Sequence, residues 1–252
     1  MTRQIRSTVP RRNDPAVPDT WTRVRLVEPS TAGFVLVAAS SGPWPVPVAL
    51  PRGRRRALVA RMRAVAAALR RDPGVLRADV FTGVLRPPAA RAGGPAPDFD
   101  AVLLVETASV ARAEDLRAAP LLTGLVADLR AAAHRTFAFT GSNPRRIGPV
   151  DHDRQGVFLF NFFSARDVES TLFAWQYTAG WFQDQTGLDN STVLQPADPE
   201  VLPYTVVNHC RWDRLRDVLP ALLVKRSFRT FVLRVFDENG VVPHPVLYRL
   251  SR

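Results

Sequence analysis

LRAAPLL at Leu116–Leu122 and LRDVLPALL at Leu215–Leu223 are two versions of one phrase. Each opens on Leu-Arg, carries a proline near its end and closes on paired leucines. Each also comes soon after a short apolar run, Ala101–Thr107 in the first case and Tyr204–Trp212 in the second. A phrase repeated at matching places marks a duplicated unit, so the chain is read outward from this pair. In the second half, Val157–Phe163 is a strand and 167–186 a helix, with Asp167 as N-cap and Gly187 as its stop. Strands follow at Ser191–Leu194 and Tyr204–Trp212. A helix capped by Asp213 then runs to Val224, with a restart after Lys225, and the last strand is Val241–Leu250. Pro243 and Pro245 suit that strand to a sheet edge.

The first half repeats the order. Phe34–Ala39 is a strand, Arg54–Arg71 an amphipathic helix stopped at Pro73-Gly74, and Val75–Leu85 and Ala101–Thr107 are strands. A helix over 114–133 and a closing strand within 137–149 complete it. Pro87–Pro97 is a long loop, 148–155 a linker, and residues 1–24 a polar, proline-bearing tail read as disordered. The domains are therefore 25–150, a structural unit, and 151–252, the unit carrying the chemistry.

The chain has 252 residues with 46% hydrophobic and 23% charged content, the composition of a globular protein. Its net charge of +11 comes from 34 basic residues, of which Lys225 is the only lysine. The arginines are scattered, and the aromatics gather in the half that lacks the arginine runs, which argues against nucleic-acid binding. No secretory leader and no apolar run of membrane-spanning length is present, so the expected address is the cytoplasm. Lone Cys210 excludes a disulfide framework, and the four histidines have no metal-binding spacing. Asp151-His152-Asp153 reads as a solvated turn. No dinucleotide fingerprint, phosphate loop, nucleophile elbow or zinc-protease motif occurs. No metal and no tightly bound cofactor are expected.

The helix 167–186 carries two apolar stripes. Leu172, Trp175, Ala179 and Phe182 form one; Phe173, Tyr177, Trp181 and Asp184 form the other, on nearly the opposite face. Such a helix either lies between two layers or faces a cavity. By strand alternation Asn208, Cys210 and Trp212 share one face, and His209 and Arg211 the other. Asn161 is polar within a very apolar strand. The candidate catalytic residues are His209 or Asp184 as proton acceptor, with Asn161, Asn208 or Gln185 supporting an anion. Trp175, Tyr177, Trp181 and Trp212 are the candidate substrate-binding residues.

Two tandem β-α-β-β-α-β units resemble the dimeric α/β-barrel superfamily, an α+β class in which two ferredoxin-like sheets close on each other. Here both would lie in one chain. With WQYTAGWF at 175–182 and NHCRWD at 208–213, the chain resembles antibiotic-biosynthesis monooxygenases, in particular the fused ring-opening oxygenases of angucycline pathways. The resemblance implies oxygenation of a phenol or hydroquinone of aromatic polyketide type, with O2 as co-substrate. It implies either no cofactor or a diffusible reduced flavin from a partner reductase, and it leaves room for a homodimer. Two other readings stay open: a non-catalytic barrel that captures a hydrophobic ligand, and a haem protein of the same superfamily with His209 as axial ligand.

Overall fold

The computed structural model describes residues 24–44, 47–49, 53–87, 98–199 and 202–252. The element order is β1 (Gly33–Ser40), α1 (Gly53–Leu69), β2 (Val75–Leu85), β3 (Ala101–Thr107), α2 (Val110–Ala118), α3 (Pro120–Ala132), β4 (Arg135–Ser142) and β5 (Arg146–Gly148). The second unit follows with β6 (Val157–Ser164), α4 (Val168–Thr186), β7 (Ser191–Pro196), β8 (Val206–Trp212), α5 (Leu215–Val224), a π-helical turn (Phe228–Leu233), α6 (Arg234–Glu238) and β9 (Val242–Leu250). This is the tandem β-α-β-β-α-β plan.

The strands run β4-β1-β3-β2-β9-β6-β8-β7 and close by a β7–β4 pairing, while β5 adds to the free stretch of β7. All pairings are antiparallel. The result is an eight-stranded closed barrel with helices outside it. At eight strands the interior is just wide enough for side chains to fill. It is filled here by Phe34, Phe81, Phe137, Phe158, Phe160, Phe162, Val207 and Tyr248, among others. Each sheet also buries its outer face. In the first unit Val35, Val37, Val80 and Leu103 pack on Leu58, Met62, Leu122 and Leu125 of the helices. In the second unit Val157, Leu159, Phe163, Cys210 and Trp212 pack on Leu172, Trp175, Val218, Val232 and Phe236.

Four expectations need correction. The helix expected over 114–133 is two helices, because Pro120 cannot donate a backbone bond and opens a second one. The cap of α5 is Arg214 rather than Asp213, with Asp217 Oδ2 accepting from the Arg214 amide at 2.9 Å. The last strand is central, since β9 joins the two units between β2 and β6. Its prolines still find a local edge: Pro243 and Pro245 pair with β6 alone, and β2 joins only from Leu247 onward. The linker is not a simple solvated turn either, because His152 is buried in the barrel. The tail at 1–23 and the loop at 88–97 lie outside the described residues.

Candidate functional site

The helical layer of the second unit leaves space over β6, β8 and β9. Asp167 caps α4 by accepting from the Ser170 amide at 2.7 Å, and Gly187 ends the helix at φ 67°, a left-handed conformation that favours glycine. Leu172, Trp175 and Ala179 thereby face the sheet. After α5 the chain folds back as the π-helical turn and α6, and Phe228, Val232 and Phe236 point down at four-residue spacing. Two adjoining cavities of about 30 Å³ each lie under this roof. Leu159, Asn161, Phe182, Trp212 and Phe236 line both. A space of that size holds a water or two, far from the several hundred Å³ of a typical ligand pocket.

Asn161 is the polar residue common to both cavities; Thr178 and Asn208 add polar groups to the second. Asn161 stands between Asn208 on β8 and Pro245 on β9, and its Oδ1 is buried with no hydrogen-bond partner among the described residues. An unpaired buried carbonyl costs about 1–3 kcal/mol. Asn208 lines the second cavity but is engaged, its Oδ1 accepting from Ser191 Oγ at 2.5 Å. Trp175 lines the same cavity. Trp212 lines both, and its indole N–H donates to Thr186 Oγ1 at 2.9 Å. The opposite side of Trp212 faces a polar cleft of about 290 Å³ lined by Asp151, Arg154, Asp189, Asn190 and Asp217. Arg154 donates to Asp151 there and holds its carboxyl down at about 2. Trp212 is thus a wall between a charged cleft and an uncharged chamber.

The other sequence candidates fall elsewhere. His209 faces the barrel interior, stacked on Phe160 with ring centroids 4.2 Å apart, so the β8 backbone separates it from the chamber. Its expected place in a pocket beside helix 167–186 is corrected by this geometry. Burial, then the neighbouring His152, holds its pKa well below the ordinary histidine value. Asp184 is exposed and Gln185 half-buried, and neither lines the cavities. Trp181 is fully buried, donating to Ser227 Oγ at 3.0 Å and packing on Phe228, which ties α4 to the roof. Tyr177 stacks on Phe173 and packs at a tilt against Phe231. The second stripe of α4 is therefore covered by the π-helical turn, which accounts for the two apolar faces.

A haem on His209 does not fit these residues. Nδ1 of that ring meets the Leu159 carbonyl at 3.1 Å and Nε2 meets His152 at 2.8 Å, and packed phenylalanines surround both. The lining residues that sequence reading passed over are Leu222, Phe228, Val232, Phe236, Pro243 and Pro245. A signal existed in the i, i+4, i+8 spacing of Phe228, Val232 and Phe236 after the second helix.

No protein-family profile and no curated protein matches the chain. Solved structures do. An anthrone oxidase-like protein superposes with a TM-score of 0.64 at 10% identity, over 88% of this chain and 91% of that one. A "putative monooxygenase" from Fusobacterium nucleatum gives 0.53 at 7% identity, over 88% and 94%. A mutant chlorite dismutase from Candidatus Nitrospira defluvii gives 0.46 at 10% identity, over 88% and 92%. At these identities the likeness is one of fold. The chain has the dimeric α/β-barrel fold, with both sheets supplied by one polypeptide.

Proposed function

We propose that the chamber over β6, β8 and β9 is the active site of an oxygenase acting on an electron-rich aromatic of polyketide type. The observation that carries the reading is the Asn161 Oδ1, buried without a partner among the described residues in a mostly apolar lining. A group left unsatisfied in the free protein is one that a ligand can satisfy. Asn161 Oδ1 accepts a phenolic O–H, and its carboxamide N–H donates to an oxygen that becomes an enolate. Trp175 and Trp212 supply flat faces for the rings. Loading requires the roof of α5, the π-helical turn and α6 to lift, because the closed chamber admits only water-sized guests.

Among the described residues no charged side chain lines the chamber, so the proton lost from the substrate goes to the reduced oxygen rather than to a protein base. For a methylene flanked by phenol rings the electrons balance without an added reductant. The CH2 becomes C=O, one atom of O2 enters the product, and the other leaves as water with the two methylene hydrogens. Hydroxylation of a ring C–H needs two further electrons and two protons. A diffusible reduced flavin from a partner reductase supplies them in that case. The fold of the anthrone oxidase-like protein supports the first version.

The test is O2 uptake and quinone absorbance when the protein meets an anthrone-type tricyclic phenol in air, with and without reduced flavin. Asn161→Leu should lose about 100-fold in rate, the usual cost of removing one aligned polar group. A leucine variant as fast as the parent would remove the chamber from the mechanism. The uncharged lining favours one second reading, capture of a hydrophobic molecule without chemistry. Saturable binding of the phenol with no O2 uptake under either condition would select it.

A further inference from the structure

A chain of three ionisable side chains crosses the barrel interior, linking elements of both units. Asp79 Oδ2 on β2 lies 2.9 Å from His152 Nδ1 in the segment joining the units. His152 Nε2 lies 2.8 Å from His209 Nε2 on β8, and His209 Nδ1 lies 3.1 Å from the Leu159 carbonyl on β6. His152 is 7% exposed and His209 2%. Phe81, Phe158 and Phe160 surround the two imidazoles.

Hydrogen-bond chemistry sets the protons. A carbonyl only accepts, so His209 carries its proton on Nδ1 and, being neutral, offers a lone pair at Nε2. His152 must then donate from Nε2. Its Nδ1 lies against the Asp79 carboxyl, and that contact holds only with one further proton in it, on the ring nitrogen or on the carboxyl oxygen. We propose that Asp79, His152 and His209 form a proton-loaded clasp between the two units, with one proton in the contact between the rings and one in the Asp79–His152 contact, so that barrel closure depends on pH. Removing either proton sets two lone pairs against each other at one of the two contacts. Adding a proton to His209 sets two N–H groups against each other at the histidine–histidine contact.

The surrounding charges leave this arrangement intact. Arg70, at the end of α1, is 3.3 Å from Asp79, and Arg77 on β2 turns to Asp153. Arg211 on β8 donates to the Gln155 carbonyl and pairs with Asp213, and its guanidinium lies over the outer ring, Phe158, 5.9 Å from the centroid. β6 and β7 place no charge against the rings, and Tyr248 of β9 lies beyond Phe160 with its hydroxyl on the Phe99 carbonyl. Burial and the neighbouring His152 depress the affinity of His209 for a second proton. The unfolded chain takes that proton near the ordinary value of about 6.5, so the contribution of His209 to stability is complete above that pH and falls below it.

Nitrogen-15 spectra of the histidine rings in the whole chain at pH 7.5 test the clasp. His209 should be protonated on Nδ1 alone, and the His152 Nδ1 signal should report a proton lying between it and Asp79. In Asp79→Asn the side-chain amide becomes the donor at that contact, so the shared proton should be lost from His152 Nδ1 while Nε2 keeps its own. A His152 Nδ1 with no proton in its contact with Asp79, or a His209 protonated on Nε2, overturns the proposal. Urea unfolding between pH 8 and 5 gives a second reading. The parent's unfolding constant should rise relative to that of His209→Gln by on the order of tenfold per pH unit below 6.5. Parallel curves overturn the acid sensitivity. If His209→Gln does not fold, the ring spectra of the parent and of Asp79→Asn decide alone.

Discussion

Neighbouring residues of β8 meet different worlds. Asn208 and Cys210 look out under the helices, while His209 and Arg211 look in. Strand alternation makes that division legible from the sequence. Which side is the chamber is not legible, because both faces of a barrel strand covered by helices are apolar and neither reads as the wet one. The same ambiguity hides His152. A histidine between two aspartates in a linker looks solvated until β2 and β8 bring Asp79 and His209 to it. Cys210 gives this scale its own test. Burial pushes the thiol far above its ordinary pKa, and the residue is 1% exposed. It should be silent to a thiol-specific chromogenic reagent in the native protein and react in full in concentrated urea. Reaction of the native protein at the rate of a free thiol would show that the roof over β8 opens readily.

Among the elements, α4 is the most fully specified by its own sequence. Its cap, its left-handed stop and both apolar stripes can be read before any tertiary contact is known. Asp167→Ala removes the acceptor for the Ser170 amide and also the 3.0 Å partner of Ser170 Oγ. The expected loss is about 1 kcal/mol, or roughly 2–4 °C in melting temperature for a chain of this size, measured by calorimetry. An unchanged melting temperature would mean that tertiary packing alone holds the helix start. The proline in the repeated phrase behaves less uniformly. Pro120 begins a new helix, whereas Pro220 sits inside α5 and is tolerated there. Both segments read as single helices in the sequence, since a proline's local effect depends on whether its neighbours already pack on the sheet. The π-helical turn is equally out of reach of sequence. Widening one turn by a residue leaves the four-residue spacing of Phe228, Val232 and Phe236 unbroken.

At the scale of the molecule, the duplicated order of elements is readable from the residues, whereas the closure, expected from the resemblance alone and found, rests on strands more than fifty residues apart. The two seams differ in construction. On one side β9 crosses over to β2 through Leu247–Leu250, and on the other β4 meets β7 only at Gly141↔Pro196 and Ser142↔Gln195. The shorter seam relies on the lack of a side chain. A Cβ placed on Gly141 would stand 2.1 Å from the Gln195 carbonyl oxygen, and that obstacle is backbone, which cannot swing aside. Gly141→Ala must therefore push β4 and β7 apart. The expected cost is at least the 1–3 kcal/mol typical of overpacking, with faster amide exchange at Gln195 and its neighbours. Gly124 supplies the matched control. It lies inside α3, a Cβ there meets nothing within 4 Å, and alanine is the better helix former. Gly124→Ala should raise stability by up to about 1 kcal/mol. The same substitution at two glycines of one unit should thus move the melting temperature in opposite directions. If Gly141→Ala instead matched the parent in melting temperature and in exchange at Gln195, the two-pair seam would carry no part of the barrel's closure.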